Sequence, residues 1–465
     1  MPANLPPQLP LIAHSDLDAI VAWRGGLPVR AGQFLAEVDA IAGQLPPGRH
    51  VLNLCGDRYR FAVALAACIV SGRISLLPST RTPEMVRQML RIAPDLFCIA
   101  DQADSDVDLP VFRYPEPMTA STSAVSIPQI DCAQVIAQVF TSGSTGAPLP
   151  HLKHWGSLVR NVRAEAARLG ISERHAIVGT VPAQHMYGLE STVLMPLQSG
   201  AALHAGHPFY PADIRAALAE LPRPRALVTT PYHLRALLAE GAAGESAPPV
   251  ADLLLSATAP LSANLAAEAE AAFAAPLYEI YGCTETGQLA SRRTTVGAAW
   301  QTLDGVRLRR EGDAVWAEGG HIDTPTRLSD EIELLDTDTS PCRFLLHGRH
   351  ADLVNIAGKR TSLGYLNHQL NAIPGVRDGL FLQPEDALGD TPESVRRLTA
   401  LVVAPDLTPA ALMQALRERI DPIFLPRPLL FVDALPRNAV GKLPSQVARD
   451  FLAELRRQSA NGIPA

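Results

Sequence analysis

Short apolar runs alternate with helix-like segments along most of the chain. Residues 133–140 (AQVIAQVF) form an apolar run of strand length, and a Gly/Ser/Thr-rich stretch follows it. Residues 158–169 then carry apolar side chains every three or four positions, until Gly170 ends the pattern. This order predicts a strand, a loop and a helix.

The same alternation returns in the second half of the chain. Residues 253–255 predict a buried strand, a turn follows at residues 258–260, and residues 262–273 predict a helix. Residues 277–281 predict another strand that runs directly into Gly282. Strands that alternate with helices favour an α/β protein with layered sheets.

A separate α/β pattern occupies the end of the chain. Strand-like residues 398–403 precede a helix start at Thr408, a capping residue that is followed by proline. We therefore expect two domains, a large one over residues 1–348 and a small one over residues 349–465.

Composition and charge narrow the class of protein. The chain is 47% hydrophobic and 19% charged, with a net charge of −7, which suits a globular protein and argues against a nucleic-acid-binding surface. Its six cysteines form no Cys-x-x-Cys pair, which argues for reduced thiols and against a zinc site. Neither a secretory signal nor an apolar run long enough for a membrane span is apparent, so we expect a cytoplasmic protein without a membrane partner.

Lysine is nearly absent. Of 40 basic residues only Lys153, Lys359 and Lys442 are lysines, so 37 are arginines. Lysine is a compact point charge on a flexible stem, whereas arginine is a planar fork. Because the chain uses arginine for nearly all of its basic residues, the local sequences around Lys153 and Lys442 indicate a chemical role for these two lysines. For Lys359, the local sequence does not distinguish a chemical role from a structural one.

A glycine- and hydroxyl-rich loop, TSGSTGAP, follows the first predicted strand at residues 141–148. Two glycines allow a tight turn with exposed N–H groups, and the hydroxyls add donors, so the loop suits a polyphosphate. It is not a Walker A loop, because the Gly-x-x-x-x-Gly-Lys-[Ser/Thr] pattern is missing. Its candidate phosphate-binding residues are Thr141, Ser142, Gly143, Ser144, Thr145 and Gly146.

Three further motifs follow in order. YGCTETG at residues 281–287 places an aromatic ring, a hydroxyl and a carboxylate directly after a strand, a set that could stack a base, touch a phosphate and hold Mg²⁺. GRHADLVNIAGKR lies at residues 348–360, and PRNAVGKLP at residues 436–444 contains Lys442.

Together and in this order, the four motifs resemble the adenylate-forming superfamily of acyl-CoA synthetases, aryl-CoA ligases, peptide-synthetase adenylation domains and luciferases. The resemblance covers roughly residues 133–445. It implies a large N-terminal domain, a small mobile C-terminal lid, and ATP and Mg²⁺ as cofactors. The implied chemistry has two steps: a carboxylate and ATP give acyl-AMP and pyrophosphate, and a thiol of CoA or phosphopantetheine then accepts the acyl group.

The resemblance also implies roles for single residues. It assigns the β- and γ-phosphates to Thr141, Ser142, Ser144 and Thr145, adenine to Tyr281, the α-phosphate to Thr284, Mg²⁺ to Glu285, the ribose to Asp330 and Arg349, and a further nucleotide contact to Thr258. Lys442 would bridge the substrate carboxylate and the α-phosphate. An anionic carboxylate must approach an anionic phosphate in this reaction, so a positive charge placed between them lowers the barrier.

Two departures from the family pattern stand out. The family loop continues Pro-Lys-Gly, whereas this chain continues Pro148-Leu149-Pro150, so Lys153 is a candidate ATP-binding residue whose replacement of the missing loop lysine stays open. The family hinge residue is charged, whereas here Ala351 occupies that position with Asp352 next to it.

The segment PAQHMYGL at residues 182–189 resembles the lining of the family's acid pocket. His185 is expected near the carboxylate or at the mouth of the pocket, as a fourth catalytic residue beside Lys442, Thr284 and Glu285. The other candidate pocket residues are Met186, Tyr187, Thr230, Tyr232 and Gly282. Methionine in place of an aspartate argues against an α-amino acid substrate, and the Tyr and Thr hydroxyls favour a phenolic acid.

The local pattern after the loop is similar to ligases of aryl polyene and xanthomonadin-type pigment pathways. That similarity implies a 4-hydroxybenzoate-like acid and an acyl carrier protein as partner. Two alternatives stay open: an aryl- or medium-chain acyl-CoA ligase that uses free CoA, and a non-catalytic adenylate-binding protein. The oligomeric state is not predicted.

Overall fold

The computed structural model describes residues 6–78, 81–102, 107–115, 126–142, 148–242, 250–336, 340–349, 353–356, 359–383, 398–438 and 442–460. The strands in chain order are β1 (Gln8–Pro10), β2 (Ile20–Arg24), β3 (Leu27–Arg30), β4 (His50–Asn53), β5 (Ile74–Leu77), β6 (Phe97–Ala100), β7 (Val111–Arg113), β8 (Gln129–Asp131), β9 (Val135–Ser142), β10 (Pro148–His154), β11 (Ala176–Gly179), β12 (Ala202–His204), β13 (Arg225–Thr229), β14 (Leu253–Ser256), β15 (Leu277–Cys283), β16 (Gly287–Arg292), β17 (Trp300–Thr302), β18 (Val306–Glu311), β19 (Ala314–Gly319), β20 (Ile322–Arg327), β21 (Asp330–Leu334), β22 (Arg343–Arg349), β23 (Leu353–Ile356), β24 (Lys359–Ser362), β25 (Asp378–Leu382), β26 (Thr399–Val403) and β27 (Leu429–Phe431).

The α-helices are α1 (Ala31–Ala42), α2 (Arg58–Val70), α3 (Pro83–Ile92), α4 (Trp155–Leu169), α5 (Met186–Leu189), α6 (Met195–Ser199), α7 (Pro211–Ala219), α8 (Pro231–Ala242), α9 (Ala263–Phe273), α10 (Leu363–Asn371), α11 (Pro409–Arg417) and α12 (Ser445–Ala460). A π-helical turn (Glu190–Leu194) joins α5 to α6, and a short 3₁₀ helix lies at Pro422–Phe424.

Local sequence accounts for several of these bounds. The Ser262 side chain accepts the Leu265 N–H and so begins α9, and the Thr408 side chain does the same for α11, where Pro409 occupies the first helical position. Helix α4 ends at Gly170, whose φ of +70° is the left-handed conformation that glycine adopts without strain. The strands and helices predicted around residues 133–170, 253–281 and 398–409 are confirmed.

Two large sheets organise the first three-quarters of the chain. Among the described residues, the larger has the strand order β21-β22-β17-β16-β15-β14-β13-β11-β12-β2-β3, and its central strands β15 to β2 are parallel. The smaller has the order β10-β9-β5-β4-β6-β7 and ends in the antiparallel hairpin β9–β10. Helix α2 is buried along nearly its whole length, and it joins the main hydrophobic core. The predicted α/β class with layered sheets is confirmed.

The end of the chain has its own core. Strands β25, β26 and β27 form a small sheet, and α10 and α11 bury Leu366, Leu370, Leu412 and Leu416 around Phe381. This unit touches the larger one where Asn264 Nδ2 donates to the Ala372 carbonyl at 3.1 Å. The proposed boundary between residues 348 and 349 remains a prediction. No helix within the described ranges is long and apolar enough to cross a membrane.

Candidate active site

The carboxyl ends of the central parallel strands gather several of the predicted site residues. Strand β11 leads to His185, β13 to Thr230, β14 to Thr258, and β15 carries Tyr281. In open α/β sheets this edge is where ligands bind, because loops from several strands converge there. Residues that are far apart in sequence are therefore brought to one edge of the sheet.

The predicted adenosine side of the site is assembled across three strands. The Tyr281 hydroxyl donates to Asp330 Oδ2 at 2.8 Å, and its ring packs against Trp300 and Phe344 with centroids 5.8 Å away in both cases. Asp330 is paired in register with Arg349 on the neighbouring strand β22. The three candidate adenosine residues thus lie together, and their nucleotide contacts remain predictions.

The turn between β15 and β16 holds Thr284 and Glu285. Gly282 is required at its entrance, because a Cβ there would lie 2.3 Å from the Gly287 carbonyl oxygen. Gly287 closes the turn with a φ of +76°, a conformation that favours glycine. The Glu285 carboxylate remains 44% exposed and lies 3.8 Å from His151 Nε2. An exposed carboxylate on a fixed turn fits a Mg²⁺ ion that is shared with substrate phosphates.

Lys153 contacts this turn from the neighbouring sheet. Its Nζ donates to the Thr284 carbonyl oxygen at 2.5 Å and to the Glu285 carbonyl oxygen at 3.3 Å. The side chain is only 7% exposed, and burial lowers its pKa. Lys153 was a candidate to take the place of a phosphate-binding loop lysine, but the contacts seen here are to backbone carbonyls.

The phosphate-binding loop lies largely beyond what the structure describes. Thr141 and Ser142 end β9, whereas Gly143, Ser144, Thr145 and Gly146 fall outside the described residues, as do the hinge candidates Ala351 and Asp352. The hairpin β9–β10 does show where the loop is attached. The roles of the loop and hinge candidates remain predictions.

His185 caps the short helix α5. The Tyr187 N–H donates to His185 Nδ1 at 3.3 Å, and burial lowers the pKa of the imidazole to about 4, helped by the positive charge of Lys442. At neutral pH His185 is thus an uncharged hydrogen-bonding group. Lys442 therefore lies near enough for its charge to act on His185.

The backbone of Lys442 is hydrogen-bonded to Asn438. Its N–H donates to Asn438 Oδ1 at 2.8 Å, and the Asn438 N–H donates to the Lys442 carbonyl at 2.8 Å. The preceding residue, Arg437, donates two hydrogen bonds of 2.7 and 2.8 Å to the carboxylate of Asp378 on β25. The backbone of Lys442 is therefore fixed by neighbouring residues.

The predicted acid-pocket residues differ in how free their polar groups are. The Tyr187 hydroxyl donates to the Leu255 carbonyl at 3.0 Å and is buried, so its proton is already used within the fold. Thr230 Oγ1 lies 2.9 Å from His233 Nδ1. Tyr232 is 40% exposed. Membership of the pocket, including that of Met186, remains a prediction.

A buried polar cluster behind the Glu285 turn escaped sequence reasoning. Glu165 and Glu190 are fully or almost fully buried; burial raises the pKa of Glu165 to about 8 and that of Glu190 to about 7. Ser191 Oγ donates to Glu165 Oε1 at 2.7 Å, and Gln288 Nε2 donates to Ser191 Oγ at 2.8 Å. The available signal was that Glu165 lies on the apolar face of α4, beside Val162.

Comparison with known proteins places the chain in a family. Residues 32–366 match the family described as AMP-binding enzyme. A 4-coumarate–CoA ligase from Rhodobacter capsulatus is 34% identical over 318 residues, which cover 67% of this chain and 74% of that protein. A 3-hydroxybenzoate–CoA/4-hydroxybenzoate–CoA ligase from Thauera aromatica is 26% identical over 404 residues, which cover 77% of this chain and 74% of that protein.

Solved structures agree in fold. The crystal structure of ATP-bound MatB from Rhodopseudomonas palustris superimposes with a TM-score of 0.78 at 20% identity, over 95% of this chain and 97% of that one. The resemblance inferred from the four motifs is thereby confirmed. The chain belongs to the AMP-binding enzyme family and is an AMP-forming acid–thiol ligase.

Proposed function

We propose that this protein activates an aromatic carboxylic acid with ATP and transfers the acyl group to CoA. The observation that carries the proposal is the 34% identity to a 4-coumarate–CoA ligase, with a hydroxybenzoate–CoA ligase among the further relatives. Sequence reasoning favoured a carrier-protein thiol, with CoA as the alternative. The names of these relatives support the CoA alternative better.

In the first step a carboxylate oxygen attacks the α-phosphorus of ATP, and the bond to pyrophosphate breaks. Tyr281, Asp330 and Arg349 would hold the adenosine, and Thr284 would hydrogen-bond the α-phosphate. The effect of the Lys442 charge on His185 supports a lid position suited to this step. The ammonium of Lys442 would offset the repulsion between carboxylate and phosphate, since His185 is uncharged at neutral pH.

Mg²⁺, when bound, would neutralise charge on the phosphates. Glu285 is the described residue placed to hold it, because its carboxylate is partly exposed while its backbone oxygen is fixed by Lys153. In the second step the thiolate of CoA attacks the acyl carbonyl and AMP leaves. Withdrawal of Lys442 at the hinge, Ala351 and Asp352, would clear the way for the thiol.

The aromatic preference rests on the relatives and on the pocket candidates. Met186 cannot pair with an ammonium group, which argues against amino acids. Because the Tyr187 hydroxyl proton is committed to Leu255, a substrate hydroxyl could meet Tyr187 only as a donor. Thr230 and Tyr232 are the other candidates for a phenolic hydroxyl. A 4-hydroxybenzoate-like or coumarate-like acid would meet these conditions.

The test is to measure acid-dependent pyrophosphate release and thioester mass together. The acids are 4-hydroxybenzoate, 3-hydroxybenzoate, coumarate, octanoate and mixed amino acids, each with CoA and with a phosphopantetheinylated carrier protein. Pyrophosphate release with an aromatic acid and an aryl-CoA product is expected. An acylated carrier without aryl-CoA would instead restore the pigment-type hypothesis, and octanoate as the preferred acid would overturn the aromatic assignment.

Lys442→Ala separates the two half-reactions. We expect it to lower pyrophosphate release at least about 100-fold, because one transition-state charge contact is lost, while thioester formation from synthetic aryl-AMP persists. Lys442→Arg is the matched control that keeps the charge but changes its shape. Unchanged adenylation in Lys442→Ala would contradict the role of Lys442. Failure of the wild type to release pyrophosphate with any acid would favour a non-catalytic adenylate-binding protein.

A further inference from the structure

Lys153 connects two sheets at the candidate active site. It lies on β10, the outer strand of the smaller sheet, two positions after His151 and therefore on the same face. Both side chains point to the β15–β16 turn of the larger sheet: His151 to the Glu285 carboxylate, and Lys153 to the carbonyls of Thr284 and Glu285. The hairpin that carries the phosphate-binding loop is thus tied to the turn that carries the α-phosphate and Mg²⁺ candidates.

A buried acidic residue lines the same cavity as this lysine. Lys153 and Glu190 both line a cavity of about 190 Å³ beneath the turn. Glu190 is 2% exposed, and its Oε1 has no hydrogen-bond partner in the described part of the chain. A Cβ on Gly287 would lie 2.9 Å from that oxygen, so the carboxylate sits directly against the turn. Burying an ionised carboxylate alone is costly, and an opposite charge across a small cavity offsets part of that cost.

Helix α4 and strand β16 hold the carboxylate side of this pair. Asn161 Nδ2 donates to the Gln288 carbonyl at 2.7 Å, and Gln288 Nε2 donates to Ser191, the residue after Glu190. His321 Nε2 lies 3.0 Å from the Thr286 carbonyl and supports the turn from the opposite side of the cavity. The turn is therefore held by polar contacts on both sides, and Lys153 is the cationic member.

We propose that Lys153 and Glu190 form a buried pair of opposite charges that positions the Thr284–Glu285 turn against the phosphate-binding hairpin. Lys153 is then a positioning residue and not a phosphate ligand. An ammonium group suits the task because it presents three donors from a compact centre and can reach two neighbouring carbonyls, whereas a guanidinium is a wider, rigid fork. This role gives a physical reason why position 153 is one of the three lysines and not an arginine. The inference rests on the proposed function, since it assumes that Thr284 and Glu285 serve MgATP.

Three variants separate positioning from a merely structural role: Lys153→Met, Glu190→Gln and the double variant. Lys153→Met leaves a carboxylate buried without its cation and should lower the free energy of unfolding. The double variant removes both charges and should recover most of that loss. Adenylation kcat should fall about 100-fold in Lys153→Met and stay low in the double variant, because the turn remains untied. The KM for the acid should change less than about threefold in both, since the acid pocket lies on other strands.

The control is Leu152→Met, a neighbouring exposed position on β10 that should keep wild-type kcat and stability. If the double variant regains kcat together with stability, Lys153 is only structural and the proposal is overturned. If Lys153→Met raises the KM for ATP with kcat and stability unchanged, Lys153 is a phosphate ligand and the proposal is equally overturned.

Calorimetric binding of ATP with and without Mg²⁺ keeps this test independent of turnover. Wild type should bind ATP more tightly with Mg²⁺, and Lys153→Met should lose most of that gain. An equal gain in both proteins would contradict the positioning role. A wild type that binds MgATP but releases no pyrophosphate with any acid would instead contradict the proposed function alone.

Discussion

Replacing Glu165 by glutamine tests the buried polar cluster away from the reacting atoms. Glu165 is fully buried on α4; burial raises the pKa of its carboxyl group from 4.5 to about 8, and the nearby Glu190 raises it further. Glutamine keeps the shape and an oxygen that can accept the Ser191 hydroxyl proton, but it cannot ionise. The substitution therefore removes the charge and leaves most of the packing.

The expected loss of stability follows from the shift in the pKa of Glu165. The unfolded chain ionises Glu165 near pH 4.5, whereas the folded chain keeps it protonated up to about pH 8. Each unit of pKa difference is worth about 1.4 kcal/mol, so the full penalty reaches about 5 kcal/mol above pH 8. Wild-type stability therefore falls as the pH rises from 4.5 to 8. The Glu165→Gln variant should match wild type within about 1 kcal/mol at pH 5 and exceed it by several kcal/mol at pH 8.5.

Urea unfolding at closely spaced pH values between 5 and 9 measures this difference. Glu268→Gln, an exposed position on α9, is the matched control and should leave the pH dependence unchanged. If Glu165→Gln shows the same slope as wild type, Glu165 does not carry a buried protonated carboxyl group and the reasoning fails.

Three further outcomes can be checked on the same protein. Gly282→Ala should lower pyrophosphate release at least about 100-fold, because its Cβ would meet a backbone oxygen at 2.3 Å. Gly297→Ala is the control and should keep wild-type pyrophosphate release, because it has open space around it. Equal activities of the two variants would refute this. Tyr281→Phe should raise the KM for ATP about tenfold, because it removes the hydrogen bond to Asp330. An unchanged KM would show that this hydrogen bond does not contribute to ATP binding. Burial lowers the pKa of His321 to about 4, so the unfolded chain takes up a proton before the folded chain does, and wild-type stability falls as the pH drops from 6.5 to 4. In urea titrations, the His321→Gln variant should therefore lose about 2 kcal/mol less stability than wild type by pH 5. Parallel stability curves for the two proteins would disprove this.

The elements and the fold class could be predicted because their signals are local. The apolar run at residues 133–140, the cap at Thr408 and the stop at Gly170 each depend on a few neighbouring residues, and the structure has the corresponding elements. The motif at residues 281–287 was also identifiable, because its aromatic ring, hydroxyl and carboxylate follow one another directly after a strand.

The partners of those residues could not be predicted, because they depend on how two sheets meet. The lysine at position 153 drew attention by its rarity, yet its contact with the carbonyl of Thr284, 131 positions later, depends on tertiary packing. Glu190 was missed for a different reason. Carboxylates in helical segments usually face water, and only burial in the assembled cluster gives this one a distinct role.

The candidate adenosine residues and the hairpin that carries the candidate phosphate-binding loop belong to different sheets. Tyr281 and Asp330 lie on the larger sheet, whereas the phosphate-binding hairpin belongs to the smaller one. The spacing of nucleotide-binding groups is therefore a property of the junction between sheets. Recombining segments among related ligases should consequently succeed only when both sides of that junction are inherited together, so Lys153, Glu190 and the turn at 283–287 form one unit of exchange for engineering new acid specificities.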